Sequence, residues 1–97
     1  MDIKVHSVHF KADQKLIDFV NEKISKLELI FDNIISGEVY FRLEPNAEEN
    51  KITEVKILMP GKELFVKKQC KTFEEATDLA IDALKKQVVK YKDKVAG

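Results

Sequence analysis

The sequence predicts an α+β fold, a two-layer sandwich in which one four-stranded sheet carries two helices on a single face, in the order β-α-β-β-β-α. Three observations predict it. Two long segments repeat their apolar residues at spacings of three and four, the period of a helix with one buried side. The segments between them alternate apolar and polar residues, the pattern of strands with one face buried and the other wet. Turn-forming residues at Gly37, Pro45, Pro60 and Gly61 punctuate those strands. A chain of 97 residues then makes one domain, 1–97, able to bury roughly 60–65% of its unfolded surface.

Each element follows in order. From Ile3 to Phe10 the apolar phase changes, Ile3 and Val5 in one register and Val8 and Phe10 in the other, which predicts a strand with a bulge or an early end. Asp13 caps the next segment, where Leu16, Val20, Ile24, Leu27 and Phe31 form a helical stripe. After Gly37, Val39, Phe41 and Leu43 alternate with Glu38, Tyr40, Arg42 and Glu44, a half-buried strand. The loop "EPNAEEN" stops it and leads to a strand from Ile52 to Met59 with Val55, Ile57 and Met59 in phase. "PGK" predicts a tight turn, returning through Glu63 to Cys70 as an antiparallel partner. In "TFEE", Thr72 and Glu75 have the spacing of a capping box. The helix it opens places Ala76, Leu79, Ala80, Ala83, Leu84, Gln87, Val88 and Tyr91 along one side.

Composition excludes several classes of protein. A hydrophobic share of 44% is too high for a disordered chain, and 17 basic against 17 acidic residues leave no net charge. Electrostatic function therefore depends on arrangement. The single cysteine, Cys70, forms no intrachain disulfide and reads as a small buried hydrophobe in a reducing compartment. No stretch approaches the ~18 apolar residues of a membrane span, and "MDIKVHSVHF" lacks the features of a secretion signal, so a soluble cytoplasmic protein is expected.

The arrangement is uneven. "LKKQVVKYKDKVAG" sets Lys85, Lys86, Lys90, Lys92 and Lys94 against one aspartate, while Glu74, Glu75, Asp78 and Asp82 occupy the start of the same helix. Acids at a helix N-terminus and cations at its C-terminus each stabilise by ~0.3–1 kcal/mol, so the polarity has a purely structural reading. The lysines nevertheless span three turns, beyond the reach of that dipole effect. A second group, Lys15, Lys23 and Lys26, lies beside the apolar stripe of the first helix, and Lys62, Lys67, Lys68 and Lys71 lead into the second. With both helices on one sheet face, lysines from both would line a groove suited to a phosphate backbone.

Catalytic chemistry finds little footing. There is no Gly-rich phosphate loop and no His or Cys cluster with metal-ligand spacing. His6 and His9 fall on opposite faces of a regular strand, and the carboxylates sit at helix starts or in the acidic loop. No metal, cofactor or small-molecule substrate is expected. Phe31, Phe41 and Phe73 belong to the core; Tyr40 and Phe65 fall on the open sheet face and Phe19 near the lysines, without the paired spacing of a base-stacking platform.

Two segments carry a family resemblance. "FVNEKISKLELIFDNI", Phe19 to Ile34, with its "KLE" and "FD", and "FEEATDLAIDALKKQVVKYKDKV", Phe73 to Val95, with its spaced lysines, resemble the two helices of the ribosome hibernation-promoting factor family. These are the stationary-phase inhibitors that include the ribosome-associated inhibitor A proteins. The resemblance spans the whole chain, its strands matching by length more than by residue. It implies a fold similar to double-stranded RNA-binding domains and a non-catalytic role. The partner implied is the small ribosomal subunit and its rRNA, with binding in the mRNA/tRNA channel that blocks initiation under stress. Carried over by position, the RNA contacts are Lys23, Lys26, Lys86, Gln87, Lys90, Lys92 and Lys94. The acidic loop Glu44 to Glu49 would face away from RNA, and a chain of this short form would need a separate factor to pair ribosomes. The rival expectation is a non-catalytic protein-interaction or stress-assembly module whose lysines only solubilise the helix; a small enzyme would require a pocket of convergent titratable groups.

Overall fold

A change of backbone hand ends the first strand where the apolar phase shifts. In the computed structural model, which describes residues 2–96 and the side chains of 2–93, β1 runs from Asp2 to Ser7. His9 then takes φ 66°, a left-handed conformation that no strand can continue. This turn carries Phe10 inward to stack on Phe73, ring centres 5.2 Å apart.

Helix α1, Gln14–Ile30, starts where Asp13 accepts a 2.9 Å hydrogen bond from the Leu16 N–H, satisfying one orphan donor of the first turn. Leu16, Val20, Ile24 and Leu27 are buried, and Phe31 joins them just past the last turn. Burying each of these large apolar side chains contributes roughly 1.5–3 kcal/mol.

Strands β2 (Ser36–Leu43), β3 (Lys51–Met59) and β4 (Lys62–Cys70) form an antiparallel meander, with β1 added parallel to β2, so the sheet order is β1-β2-β3-β4. Pro60 and Gly61 connect Met59 to its cross-strand partner Lys62, with Gly61 at φ +75°, the proline–glycine order that a type II turn demands. Register aligns Val5, Val39, Val55 and Val66 across all four strands on the covered face. Leu43, expected on that face, is 40% exposed because it ends β2 beyond the reach of the helices.

Helix α2 spans Phe73–Ala96. The Glu75 N–H donates to Thr72 Oγ1 at 3.1 Å, giving one half of the expected capping box; the Glu75 carboxylate faces the Cys70 thiol, which burial and that charge push above the usual thiol range. Its buried line differs from the expected one in one respect. Leu79 is 45% exposed, and Thr77 and Ile81 are buried instead. The helix must meet both the β3–β4 half of the sheet and α1, which turns the stripe toward Thr77. Thr77 can occupy the core because its hydroxyl pairs with that of Thr53 on β3 at 3.4 Å. Both helices contribute to one hydrophobic core on one sheet face.

Candidate nucleic-acid interface

The buried line of α2, through Thr77, Ile81, Leu84 and Val88, fixes where Lys85, Lys86, Lys90 and Lys92 point. At about 100° per residue, Lys86 lies nearly opposite that line, Lys85 and Lys92 fall on one flank and Gln87 and Lys90 on the other. The contacts agree. Lys92 Nζ sits 5.2 Å above the Phe31 ring at the end of α1, so the first flank faces α1. Gln87, Lys90 and Tyr91 share a cleft with Lys62 and Leu64 of β4, so the second flank faces the sheet edge. The side chain of Lys94 lies outside the described residues.

On α1, Lys23 and Lys26 are engaged, while Lys15, in the first turn, makes no ion pair among the described residues. Lys23 Nζ is 3.0 Å from Asp78 Oδ1 of α2 and 5.4 Å from the Phe19 ring centre; Lys26 Nζ is 3.6 Å from Glu22 Oε1 one turn earlier. The seam between the helices is therefore clasped by Lys23 and Asp78 and does not present free ammonium groups on both walls, as a two-helix groove would require. Asp78, from the acidic start of α2, thus lies on the flank that faces α1.

Lys85, Lys86 and Lys90 make no ion pair among the described residues. Between them Val89 is 47% exposed, and together these four side chains line a shallow depression of about 420 Å³ along the crest of the helix. Like charges one turn apart repel, so this crowding costs the isolated protein some stability and is relieved by an anion laid along it. The second cleft, about 360 Å³, adds Lys62 and the Tyr91 ring, whose hydroxyl donates to the Pro60 carbonyl at 2.9 Å. Neither Lys62 nor Tyr91 stood among the expected site residues. The sequence grouped Lys62 with the lysines that lead into α2 and put Tyr91 on the apolar side of that helix, but bringing the two together depends on the β3–β4 register.

The open face of the sheet handles its charge differently. Arg42 Nε donates to Glu54 Oε2 at 3.1 Å, and Tyr40 Oη donates to Glu38 Oε2 at 2.7 Å. His6 stacks on Tyr40 with centres 4.6 Å apart, its Nε2 3.3 Å from the same Glu38 oxygen without the alignment of a hydrogen bond. The bond from Tyr40 holds the Glu38 carboxyl below the usual range, with Lys56 assisting, and raises the Tyr40 phenol above its own. Tyr40 is thus on the open face as expected, committed to its neighbours. Phe65, also on that face, is 51% exposed.

Among the described residues no group of three or more His, Cys, Asp or Glu side chains could hold a metal ion, and no helix is long and apolar enough to cross a membrane.

The sequence profile of the family described as sigma 54 modulation protein / S30EA ribosomal protein matches residues 3–96. A ribosome hibernation promoting factor from Pseudomonas putida is 28% identical over 94 residues, covering 97% of this chain and 89% of that protein. One from Azotobacter vinelandii is 30% identical over 94 residues, covering 97% and 85%. Among solved structures, a ribosomal subunit interface protein from Coxiella burnetii superposes with a TM-score of 0.87 at 19% identity, covering 96% of this chain and 99% of that one.

Proposed function

We propose that this chain, which belongs to the sigma 54 modulation protein / S30EA ribosomal protein family, is a ribosome hibernation factor. In this reading it lies on small-subunit rRNA in the mRNA/tRNA channel and blocks initiation in stationary phase or stress. One observation carries the reading: Lys85, Lys86 and Lys90 stand unpaired along α2 in a protein with no net charge to explain them. The names of the relatives support a ribosomal partner.

The mechanism is occupation. A rigid helix backed by a sheet presents cations at one-turn intervals, ~5–6 Å, close to the separation of successive phosphates on an RNA strand. Such contacts fix position and orientation without reading sequence. A protein so held competes with mRNA and tRNA by filling their path, and its release follows from weakening the same contacts.

Salt dependence gives the quantitative test. With Lys85, Lys86, Lys90 and Lys92 each meeting a phosphate, the log–log slope of ribosome binding against salt is roughly −3 to −4. The decisive measurement is co-sedimentation of the protein with vacant ribosomes at low salt. Protein left in the free fraction there would falsify the reading, and binding flat in salt would remove the role of the lysines.

A further inference from the structure

The cleft between α2 and the β3–β4 turn has a divided lining. Lys62, from the turn, and Lys90, from the helix, bring two ammonium groups from separate elements, and neither has a carboxylate partner among the described residues. Leu64 and the Tyr91 ring supply apolar surface. Gln87 supplies an amide that both donates and accepts. The hydrogen bond from Tyr91 Oη to the Pro60 carbonyl, at 2.9 Å, fixes the half-buried ring against the turn, where it forms part of the cleft wall. A volume of about 360 Å³ falls at the lower end of the range for small-ligand clefts.

A duplex backbone needs cations along a line and makes no use of an apolar wall with an amide beside it. An unpaired nucleotide uses all three, because its base has a face to stack, an edge to hydrogen-bond and a phosphate to neutralise. We propose that this cleft is a one-nucleotide site. The base lies against Tyr91 and Leu64, Gln87 addresses its edge, and Lys62 and Lys90 hold the phosphate. The inference rests on the ribosome-binding reading for Gln87 and Lys90. It adds Lys62 and Tyr91, and it names the ligand as a nucleotide out of the stack. An unstacked nucleotide of a folded RNA and a free nucleoside monophosphate share this chemistry, and the experiment separates them.

The protein has two tyrosines, Tyr40 and Tyr91, and no tryptophan, so a Tyr40→Phe protein reports on Tyr91 alone by its fluorescence. Titration with adenosine 5′-monophosphate, adenosine and inorganic phosphate is the first arm. Quenching by the nucleotide at concentrations where neither half acts, lost on Lys62→Ala, establishes the site for free nucleotides. The second arm uses the unaltered chain on ribosomes: a photo-crosslink from Tyr91 to a single rRNA nucleotide establishes the site for RNA. In that arm Lys62→Ala weakens co-sedimentation about three- to tenfold and reduces the salt slope by about one. The inference is overturned if Tyr91 is neither quenched nor crosslinked and Lys62→Ala co-sediments like the parent. Its failure is distinguishable from failure of the ribosome reading. A Lys86→Glu, Lys90→Glu protein that loses the ribosome alongside a silent cleft leaves that reading standing; one that still binds removes it, and the nucleotide titration then decides the cleft by itself.

Discussion

The last turns of α2 and the open face of the sheet are both dense in charge, yet the first is almost all of one sign and the second mixes both. On the sheet, register sets His6, Tyr40, Glu54 and Lys67 in one row and Lys4, Glu38, Lys56 and Phe65 in the next. Diagonal cross-strand neighbours and residues two apart on one strand share a face within reach of long side chains. Arg42 finds Glu54 on the diagonal, and Glu38 takes the hydroxyl of Tyr40, two residues along its own strand. On α2 the outer face has neighbours along the helix itself, where Lys85, Lys86, Val89 and Lys90 adjoin, with Asp82 a turn before Lys86 and Asp93 a turn after Lys90, neither in an ion pair among the described residues. A same-sign run on an outer helix face presents one sign to a partner; on the sheet face the cations lie among carboxylates, Arg42 paired with Glu54 and Lys56 near enough to Glu38 to help hold its carboxyl low.

The largest effect we expect tests that contrast directly. Lys86→Glu with Lys90→Glu should weaken ribosome co-sedimentation about a hundredfold, since each reversal removes one phosphate contact and adds one repulsion. Lys56→Glu with Lys67→Glu makes the identical change in net charge on the sheet face, and it should alter binding by less than about threefold. Equal losses from the two pairs would show that total charge, not its placement, drives association. Next in size is Arg42→Ala. Glu54 is only 14% exposed, so loss of its partner should destabilise the fold by about 1 kcal/mol in denaturant unfolding, with ribosome binding unchanged.

Much of this was legible in the sequence because it depends on local order. The Asp13 cap, the α1 stripe, the alternation of Val39 and Phe41 and the "PG" turn all involve residues close in the chain, and each stands where the pattern puts it. The lysine run was equally plain. Its pairing was not. The Lys23–Asp78 clasp joins residues on two helices, and which flank of α2 meets α1 is fixed only when the helix has turned to bury Thr77 and Ile81 in place of Leu79. Thr77 looked polar and Leu79 apolar, and the hydroxyl of Thr53 that makes Thr77 acceptable in the core is on a different strand. Lys62 and Tyr91 meet for the same kind of reason, through the length of the β3–β4 hairpin.

The clasp offers a sharper test of free against engaged lysine. Asp78→Asn leaves Lys23 in place and removes the carboxylate that neutralises it, at a cost within the ~0–1 kcal/mol of a surface ion pair. If only unpaired lysines bind, the released ammonium should strengthen ribosome co-sedimentation about twofold at low salt and steepen the salt slope. Unchanged binding would mean the α1–α2 seam lies away from the anionic partner, confining the interface to the crest of α2 and its β4 flank.

The smallest effect lies on the sheet face and concerns how that face holds its charge. Tyr40→Phe removes the hydrogen bond that is the main cause of the lowered Glu38 value, so the Glu38 midpoint, followed by carboxyl chemical shift, should move up toward the usual carboxylate range. The sign of the stability change follows. A carboxyl held low when folded contributes stability at pH above its unfolded value and loses it as pH falls through the lowered one. The parent should therefore exceed Tyr40→Phe in stability near neutral pH, with the gap closing in acid. Because Tyr40 and Glu38 lie on the open sheet face, opposite the face that carries α2, ribosome binding should stay level across that variant; a change there would mean the sheet face meets the partner after all.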